Sequence, residues 1–232
     1  MIRRNLLILM LTLAVAPAAS AADGAGLFAA NCSRCHGTAG QGLPDKGPSL
    51  EHVGARAADF YLRTGYMPLS DPGAQPSRSR VLFGEGQIRA IVGYVASLGA
   101  GPPIPSPRWR SGDVAAGMRL FTDNCAGCHQ IAARGGYVTG ARVPPLGQAT
   151  PRQVAEAIRI GPYLMLRFPP AAISRAQLND LIAYVEYTKH PQDPGGVSIG
   201  RLGPWPEGMV TWLVAAATLV AVCLLLGKRL RT

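Results

Sequence analysis

The feature that most constrains the fold of this chain is an internal duplication. Three short blocks recur in the same order in its two halves: Leu-Phe-x-x-Asn-Cys-x-x-Cys-His, then Pro-x-Leu, then an apolar segment that begins with Gln. The blocks lie at residues 27–36, 48–50 and 87–95 in the first half and at residues 120–129, 144–146 and 177–185 in the second half. Self-similarity of this kind predicts two copies of one structural unit.

Each copy is predicted to fold as a small all-α domain. Apolar residues recur at helix spacing in the third block, at Ile88, Ile91, Val92 and Val95 and again at Leu178, Leu181, Ile182 and Val185. The alternating pattern typical of strands is nearly absent. Asp113 or Ser111 is expected to cap the helix that leads into the second Cys-x-x-Cys-His block, and Ser174 to cap the last helix of that half.

Segments rich in Pro and Gly divide the chain, because such a segment can neither pair in a sheet nor continue a helix. One follows the first copy and reads as a stiff linker, and another follows the second copy. The predicted order is a first domain at residues 23–99, a linker at 100–111, a second domain at 112–190 and a tether at 191–207.

The N-terminus carries an export signal. Residues 1–22 contain two early arginines, a short apolar run and a small-residue cleavage pattern near Ala21 and Ala22. This order predicts a signal peptide that is cleaved. An uncleaved anchor is the alternative, and under either reading the chain leaves the cytoplasm.

The C-terminus carries a membrane signal. Residues 208–227 form an uninterrupted apolar stretch, and a helix of that length rises about 30 Å, which is enough to cross a bilayer. Trp205 and Trp212 lie near its outer end as interface anchors. The basic residues of the tail, 228–232, predict a cytoplasmic C-terminus and an extracytoplasmic location for residues 23–205. A buried core helix is the alternative reading.

The formal net charge of +10 does not indicate a nucleic-acid partner. Half of it comes from the two flanks of the apolar end segments, at Arg3, Arg4, Lys228, Arg229 and Arg231. Basic residues at those places set membrane topology. We therefore expect a membrane location and no nucleic acid.

The strongest chemical signal is the Cys-x-x-Cys-His motif, because it occurs twice. Its members are Cys32, Cys35 and His36 in the first half and Cys125, Cys128 and His129 in the second. Thiols three residues apart on a helical turn project to one side, where they can add to two haem vinyl groups while the adjacent imidazole reaches the iron. The motif therefore predicts two covalently bound haems c.

Three alternatives use the same residues. A redox-active Cys-x-x-Cys is typical of a βαβ surround, which the helical pattern lacks. A shared zinc site explains neither the duplicated downstream blocks nor the export. Structural disulfides do not need a His after each pair.

A haem iron with one His ligand needs a sixth ligand, and in cytochromes c this is typically Met. Of the six methionines, two lie within residues 1–22 and one begins the apolar C-terminal stretch. Met118 precedes the second haem motif on the helix that presents it. Met67 and Met165 remain, one in each half, and are the predicted ligands. His52 is a rival to Met67, but it follows Pro48 closely and is expected, like His190, to lie at the surface.

Beyond these motifs the exported part resembles cytochrome c domains. It is similar in particular to the diheme cytochrome c subunits of actinobacterial menaquinol–cytochrome c reductases, the cytochrome bcc complexes. The residues that carry this likeness are Gly47–Leu50, Thr64–Leu69, Gly161-Pro162 before Met165, Gly195-Gly196, Leu202–Pro204 and Glu207-Gly208. The sequence departs from the pattern at Leu166, where a Pro is expected.

The resemblance implies an all-α fold of two tandem cytochrome c-type haem domains plus one C-terminal transmembrane helix. It implies a subunit of a quinol–cytochrome c reductase, a translocase, with no catalytic site of its own. Its partners are then the Rieske iron–sulfur subunit, the cytochrome b subunit and a terminal oxidase, toward which electrons pass. Rival functions are a diheme subunit of another oxidase or dehydrogenase complex, and a diheme peroxidase or thiosulfate-oxidising cytochrome.

Overall fold

A computed structural model describes residues 23–71, 73–74, 77–138, 140–191 and 204–229. The described part is mostly helical. Its elements in chain order are α1 (Gly24–Asn31), α2 (Ser33–His36), α3 (Gly54–Arg63), α4 (Glu85–Ser97), a 3₁₀ turn (Trp109–Ser111), α5 (Val114–Asn124), α6 (Ala126–His129), β1 (Gly136–Val138), β2 (Ala141–Val143), α7 (Pro151–Ile160), α8 (Arg175–Lys189) and α9 (Pro204–Arg229). The described residues up to Lys189 form one compact unit, and those from His190 onward form another.

The first half is organised by the contact between α1 and α4. A Cβ atom at Gly24 would lie 2.2 Å from the backbone oxygen of Ala90, so only glycine allows the two helices to come this close. Next to this contact, the buried ring of Phe28 packs 5.0 Å from the ring of Tyr94, measured between centroids. The core is completed by Leu62, Ile88, Ile91, Val92 and Val95.

The second half repeats this arrangement with α5 and α8. A Cβ atom at Gly117 would lie 1.9 Å from the backbone oxygen of Asp180. The buried ring of Phe121 packs 5.3 Å from that of Tyr184. The core of this half includes Val154, Ala155, Ile158, Ile173, Leu178, Leu181, Ile182 and Val185. The helical repeat read from the sequence is thus present in both halves.

Caps and strands add detail to the predicted helices. The Asp113 side chain accepts hydrogen bonds from the first turn of α5 at 2.8 and 3.1 Å, and Ser174 accepts one from Gln177 at the start of α8. Both caps are therefore confirmed. The second half also contains an antiparallel hairpin of β1 and β2, which the sequence pattern did not predict because each strand has only three residues.

The segment 100–111 contacts both halves. The Arg56 N–H, near the start of α3, donates to the Pro102 oxygen at 3.1 Å. The Arg108 N–H donates to the Asn179 side-chain oxygen on α8 at 2.9 Å. The predicted linker is therefore fixed to the elements on either side of it.

The described part of the other unit consists mainly of α9. Within it, Gly208–Arg229 is long and apolar enough to cross a membrane, with a mean hydropathy of 2.5. The helix begins at Pro204, so residues 204–207, which the sequence assigned to the tether, are helical. The side chain of Trp212 is exposed along this helix.

Three predictions fall on residues outside those that the structure describes. The predicted signal peptide and its cleavage site occupy residues 1–22. Most of the predicted tether, residues 192–203, and the last three residues of the basic tail also lie outside the described part. These assignments stay predictions from the sequence.

Candidate haem sites

Both Cys-x-x-Cys-His motifs form the same backbone turn. The Cys32 N–H donates to the Phe28 oxygen at 2.8 Å and ends α1, and the His36 N–H donates to the Cys32 oxygen at 2.9 Å. In the second half the Cys125 N–H donates to the Phe121 oxygen at 2.8 Å, and the next turn again closes at 2.9 Å. The two cysteines of each motif therefore lie one helical turn apart, on one side of the chain.

The histidine of each motif is oriented by a proline carbonyl from the second sequence block. Nδ1 of His36 lies 2.8 Å from the Pro48 oxygen, and Nδ1 of His129 lies 3.3 Å from the Pro144 oxygen. When Nδ1 donates its proton to a carbonyl, the ring is fixed and Nε2 keeps its lone pair for a metal. Burial lowers the pKa of His129, while the Pro144 hydrogen bond opposes this shift. The lowered pKa favours the neutral imidazole that a metal requires.

An apolar cleft lies at the Cys-x-x-Cys-His motif of the second half. Cys125, Cys128 and His129 lie in its wall. Its other walls are mainly apolar and include Val138, Val143, Leu146, Val154, Ile158 and Phe168. A pocket with apolar walls and a few placed polar groups is typical of a cofactor site. The donor set of two thiols and an imidazole fits a covalently attached haem.

Each methionine predicted as a ligand follows a helix that ends at a left-handed glycine. Gly65 has φ 68° after α3, and Gly161 has φ 67° after α7; glycine adopts this conformation without the penalty of a Cβ atom. Met165 lines the cleft and packs against the core of the second half. Met67 is not among the residues that line this cleft; it belongs to the first half, where its N–H donates to the Tyr61 oxygen at 3.1 Å.

One thiol in each of these turns has a raised pKa. Burial raises the pKa of Cys125 to about 11, and Cys128 raises it in the same direction. Burial also raises the pKa of Cys32, with Cys35 as the second cause. Because the thiolate is the nucleophile in thiol–disulfide exchange, a raised pKa disfavours the alternative of a redox-active dithiol.

Comparisons with known proteins agree with this geometry. A family profile described as cytochrome c oxidase, cbb3-type, subunit III matches residues 19–95 and 112–185, so each match contains one haem motif. The cytochrome bc1 complex cytochrome c subunit of Mycobacterium leprae (strain TN) is 37% identical over 212 residues, which cover 88% of this chain and 73% of that protein. The chain belongs to this family of bc1 complex cytochrome c subunits.

Two further relatives match different shares of the chain. The bc1 complex cytochrome c subunit of Corynebacterium diphtheriae is 36% identical over 225 residues, covering 89% of this chain and 80% of its own. A cbb3-type cytochrome c oxidase subunit CcoP from Azospirillum sp. (strain B510) is 32% identical over 143 residues, covering 55% of this chain and 46% of its own. The resemblance to actinobacterial subunits and the all-α fold class are thereby confirmed.

Membership of the family establishes the general chemistry. Cytochrome c domains carry covalently bound haem c, and the chain is a membrane-linked electron-transfer cytochrome. The helix Gly208–Arg229 supplies the membrane link. The number of haems and the identity of each iron ligand go beyond the comparisons.

His52 and Met118, the alternatives to the predicted methionine ligands, do not line the cleft. Nδ1 of His52 lies 3.2 Å from the Ala100 oxygen of the linker, and this histidine is exposed. Met118 is exposed on α5. Although Leu166 replaces the expected Pro, the Met165 N–H donates to the Pro162 oxygen at 3.0 Å, so the turn that presents Met165 forms without it.

Sequence reasoning did not predict that residues of the first half border the cleft at the second Cys-x-x-Cys-His motif. Phe60, Thr64, Tyr66 and Arg78 all line it. It also missed two fully buried acids, Asp59 on α3 and Glu156 on α7. One signal in the sequence could have revealed these two acids, because the helical period places each of them on the buried face of its helix.

Proposed function

We propose that the chain carries two haems c, one in each half. The two cysteines of each motif would hold the haem by thioether bonds, and one histidine and one methionine of each half would bind its iron. The residues are Cys32, Cys35, His36 and Met67 in the first half and Cys125, Cys128, His129 and Met165 in the second. One observation carries the proposal: in both halves the Cys-x-x-Cys-His turn is followed by a proline carbonyl at the histidine Nδ1.

The residues of the chain then have two roles, since they hold the haems in place and shield them from water. The proline carbonyls keep each imidazole in one orientation, so that its Nε2 is directed to the iron. The methionine thioether raises the reduction potential relative to a nitrogen ligand. The apolar walls of the cleft exclude water, which also influences the potential. When bound, the haems supply the one-electron chemistry, and no substrate pocket is required.

We propose further that these haems pass electrons inside a menaquinol–cytochrome c reductase. The relatives from Mycobacterium leprae and Corynebacterium diphtheriae are cytochrome c subunits of a cytochrome bc1 complex. Electrons would enter from the Rieske iron–sulfur centre and leave toward a terminal oxidase, and cytochrome b would be a neighbouring subunit. Lys228 and Arg229 at the end of α9 support a cytoplasmic C-terminus, with the haem-bearing unit on the extracytoplasmic face.

A second function is supported by two of the comparisons. The matching family profile is described for a cbb3-type oxidase subunit, and the relative from Azospirillum carries a similar name. The chain would then be a diheme electron-transfer subunit of another respiratory complex. The lower coverage of that relative makes this the weaker reading.

The test uses the full-length chain and a truncated chain that ends at Pro204, each as the only copy in the cell. The full-length chain should co-purify in mild detergent with a Rieske protein and a cytochrome b. The truncated chain should be soluble and keep near-native haem spectra, because the haem motifs lie in the other unit. Quinol-driven oxygen uptake should fall sharply, because a tether raises the effective concentration of a partner.

A matched control keeps the anchor and changes only its cysteine, Cys223→Ala, which should leave both co-purification and oxygen uptake unchanged. Full respiration with the truncated chain would contradict the subunit reading, since the protein would then act as a free shuttle. Co-purification with a haem–copper oxidase alone would favour the second function.

A further inference from the structure

Two buried acids lie where the halves of the chain meet. Asp59 on α3 and Glu156 on α7 are 2% and 0% exposed, and the two helices pack against each other. Acids are rarely buried unless they are paired. We call these two residues the central carboxyl pair.

The two members of the pair are unequally partnered. One oxygen of Asp59 accepts a hydrogen bond from Nε of Arg63 at 2.8 Å, and its other oxygen has Arg152 only at 3.9 Å. Among the residues that the structure describes, no nitrogen or hydroxyl donor reaches either oxygen of Glu156. Its hydrogen-bonding neighbour is the Asp59 carboxyl, and a bond between two carboxyl groups requires a proton on one of them. A buried ionised carboxylate without a donor is very unfavourable, so such a group holds a proton instead.

Five arginines and Glu85 lie around the pair. Arg63 is also held by Glu85 through two hydrogen bonds of 2.5 and 2.8 Å, and Arg152 is half-exposed on the same helix as Glu156. The other charged groups close to this region are Arg56, Arg159 and Arg167. Burial raises the pKa of Glu156 to about 8, Asp59 raises it further, and Arg152 and Arg63 oppose the shift.

The central carboxyl pair is adjacent to the cleft at the second haem motif. Gln153 and Ala157, on either side of Glu156 along α7, line that cleft, and so does Phe60, the neighbour of Asp59. A charge placed in the cleft therefore acts on the pair through protein interior, where electrostatic interactions are stronger than in water.

We propose that the central carboxyl pair is a proton-binding site that is coupled to the electron occupancy of the neighbouring haem, an inference that rests on the proposed function. When the ferric iron gains one electron, the added negative charge increases the proton affinity of the pair. The pair then takes up to one proton from bulk water, and the only bond formed is a carboxyl O–H. On oxidation the electron and the proton both leave. By linkage, the bound proton raises the electron affinity of the haem by the same factor.

The test uses the full chain with both haems in detergent. It compares Glu156→Gln with a matched control, Glu51→Gln, in which an exposed glutamate of the same type is changed. On reduction in weakly buffered solution at pH 8, a pH indicator should report a fraction of a proton taken up per electron. Glu156→Gln should lose at least half of this uptake, and Glu51→Gln should keep it.

A second measurement is the reduction potential as a function of pH. One haem potential should fall as the pH rises above about 8, with a slope of at most about 59 mV per pH unit, the limit for one proton per electron. Glu156→Gln should flatten this slope. Asp59→Asn removes the neighbouring charge that raises the Glu156 pKa, so the fall should begin at a lower pH than in the wild type.

The outcomes are separable. If both haems are reduced but Glu156→Gln takes up as many protons as the wild type, the proton site is wrong while the proposed function stands. An unmoved pH dependence in Asp59→Asn would also overturn it. If the purified chain shows no haem reduction spectrum, the proposed function itself fails.

Discussion

The two halves place their histidine against a proline carbonyl in the same way, but they reach that proline by different paths. In the first half, residues 37–47 form turns with one isolated bridge between Leu43 and Gly47. In the second half, residues 130–143 contain the β1–β2 hairpin. The contact between the histidine and the proline carbonyl is thus common to both halves, whereas the loop that connects the two residues differs. Loops tolerate insertion when the ends that they connect stay fixed, and here the fixed ends are the parts that hold the imidazole.

A second contrast lies in the central carboxyl pair. The acid contributed by the first half, Asp59, has an ion pair with Arg63 at 2.8 Å. The acid contributed by the second half, Glu156, has no cationic or other donor on its oxygens among the described residues, and its neighbour is Asp59 itself. Both acids lie next to the cleft at the second haem motif, so the two halves repeat one scaffold but the pair is close to only one of the two haem sites. We expect their haems to differ in potential for this reason.

The largest effect that tests the repeat is loss of a haem. Changing Cys32 and Cys35 together to Ala should leave one haem per chain, because those thiols attach only the first haem. Changing Cys125 and Cys128 should leave the other one. Haem content per chain, measured from the reduced pyridine spectrum, checks both. The membrane variant Cys223→Ala should retain two, and loss of both haems from either double variant would mean that the halves do not bind independently.

The next effect distinguishes the two haems by potential. Met67→His and Met165→His should each lower the potential of one haem only, because imidazole replaces the thioether that raises it. The shift should fall within the roughly 0.8 V that axial ligands span. Redox titration followed by absorbance measures it, and the weak band of the sulfur–iron bond should lose a share in each variant. Met118→His is the matched control, and an equal change there would refute the ligand assignment.

The smallest effect concerns the scaffold that the halves share. Gly24→Ala and Gly117→Ala each place a Cβ atom within 2.2 Å of a backbone oxygen, so each should lower the free energy of unfolding by about 1–3 kcal/mol. Denaturant unfolding followed by circular dichroism measures this. Gly93→Ala is the control, because a Cβ atom there has no neighbour within 4 Å and Ala is the better helix former by about 1 kcal/mol. A neutral result at Gly24 or Gly117 would show that the helices do not require close approach.

The repeated scaffold was readable from the sequence because its signals are local. Ile91 and Leu181 are each 1% exposed, as the helical period predicts, and Asp113 caps α5. The hairpin was not readable, since strands of three residues carry no usable period. The closeness of Asp59 and Glu156 could not be predicted either, because it depends on how α3 packs on α7, a contact between segments far apart in the chain.

The central claim is that each half binds its own haem covalently, and the mass of the intact, denatured full-length protein tests it most directly. Thioether bonds survive denaturation, so the mass should exceed that of the polypeptide by two haems. The colour should stay with the protein in acidified organic solvent. A mass increase of one haem, or colour that extracts into the solvent, would contradict the account.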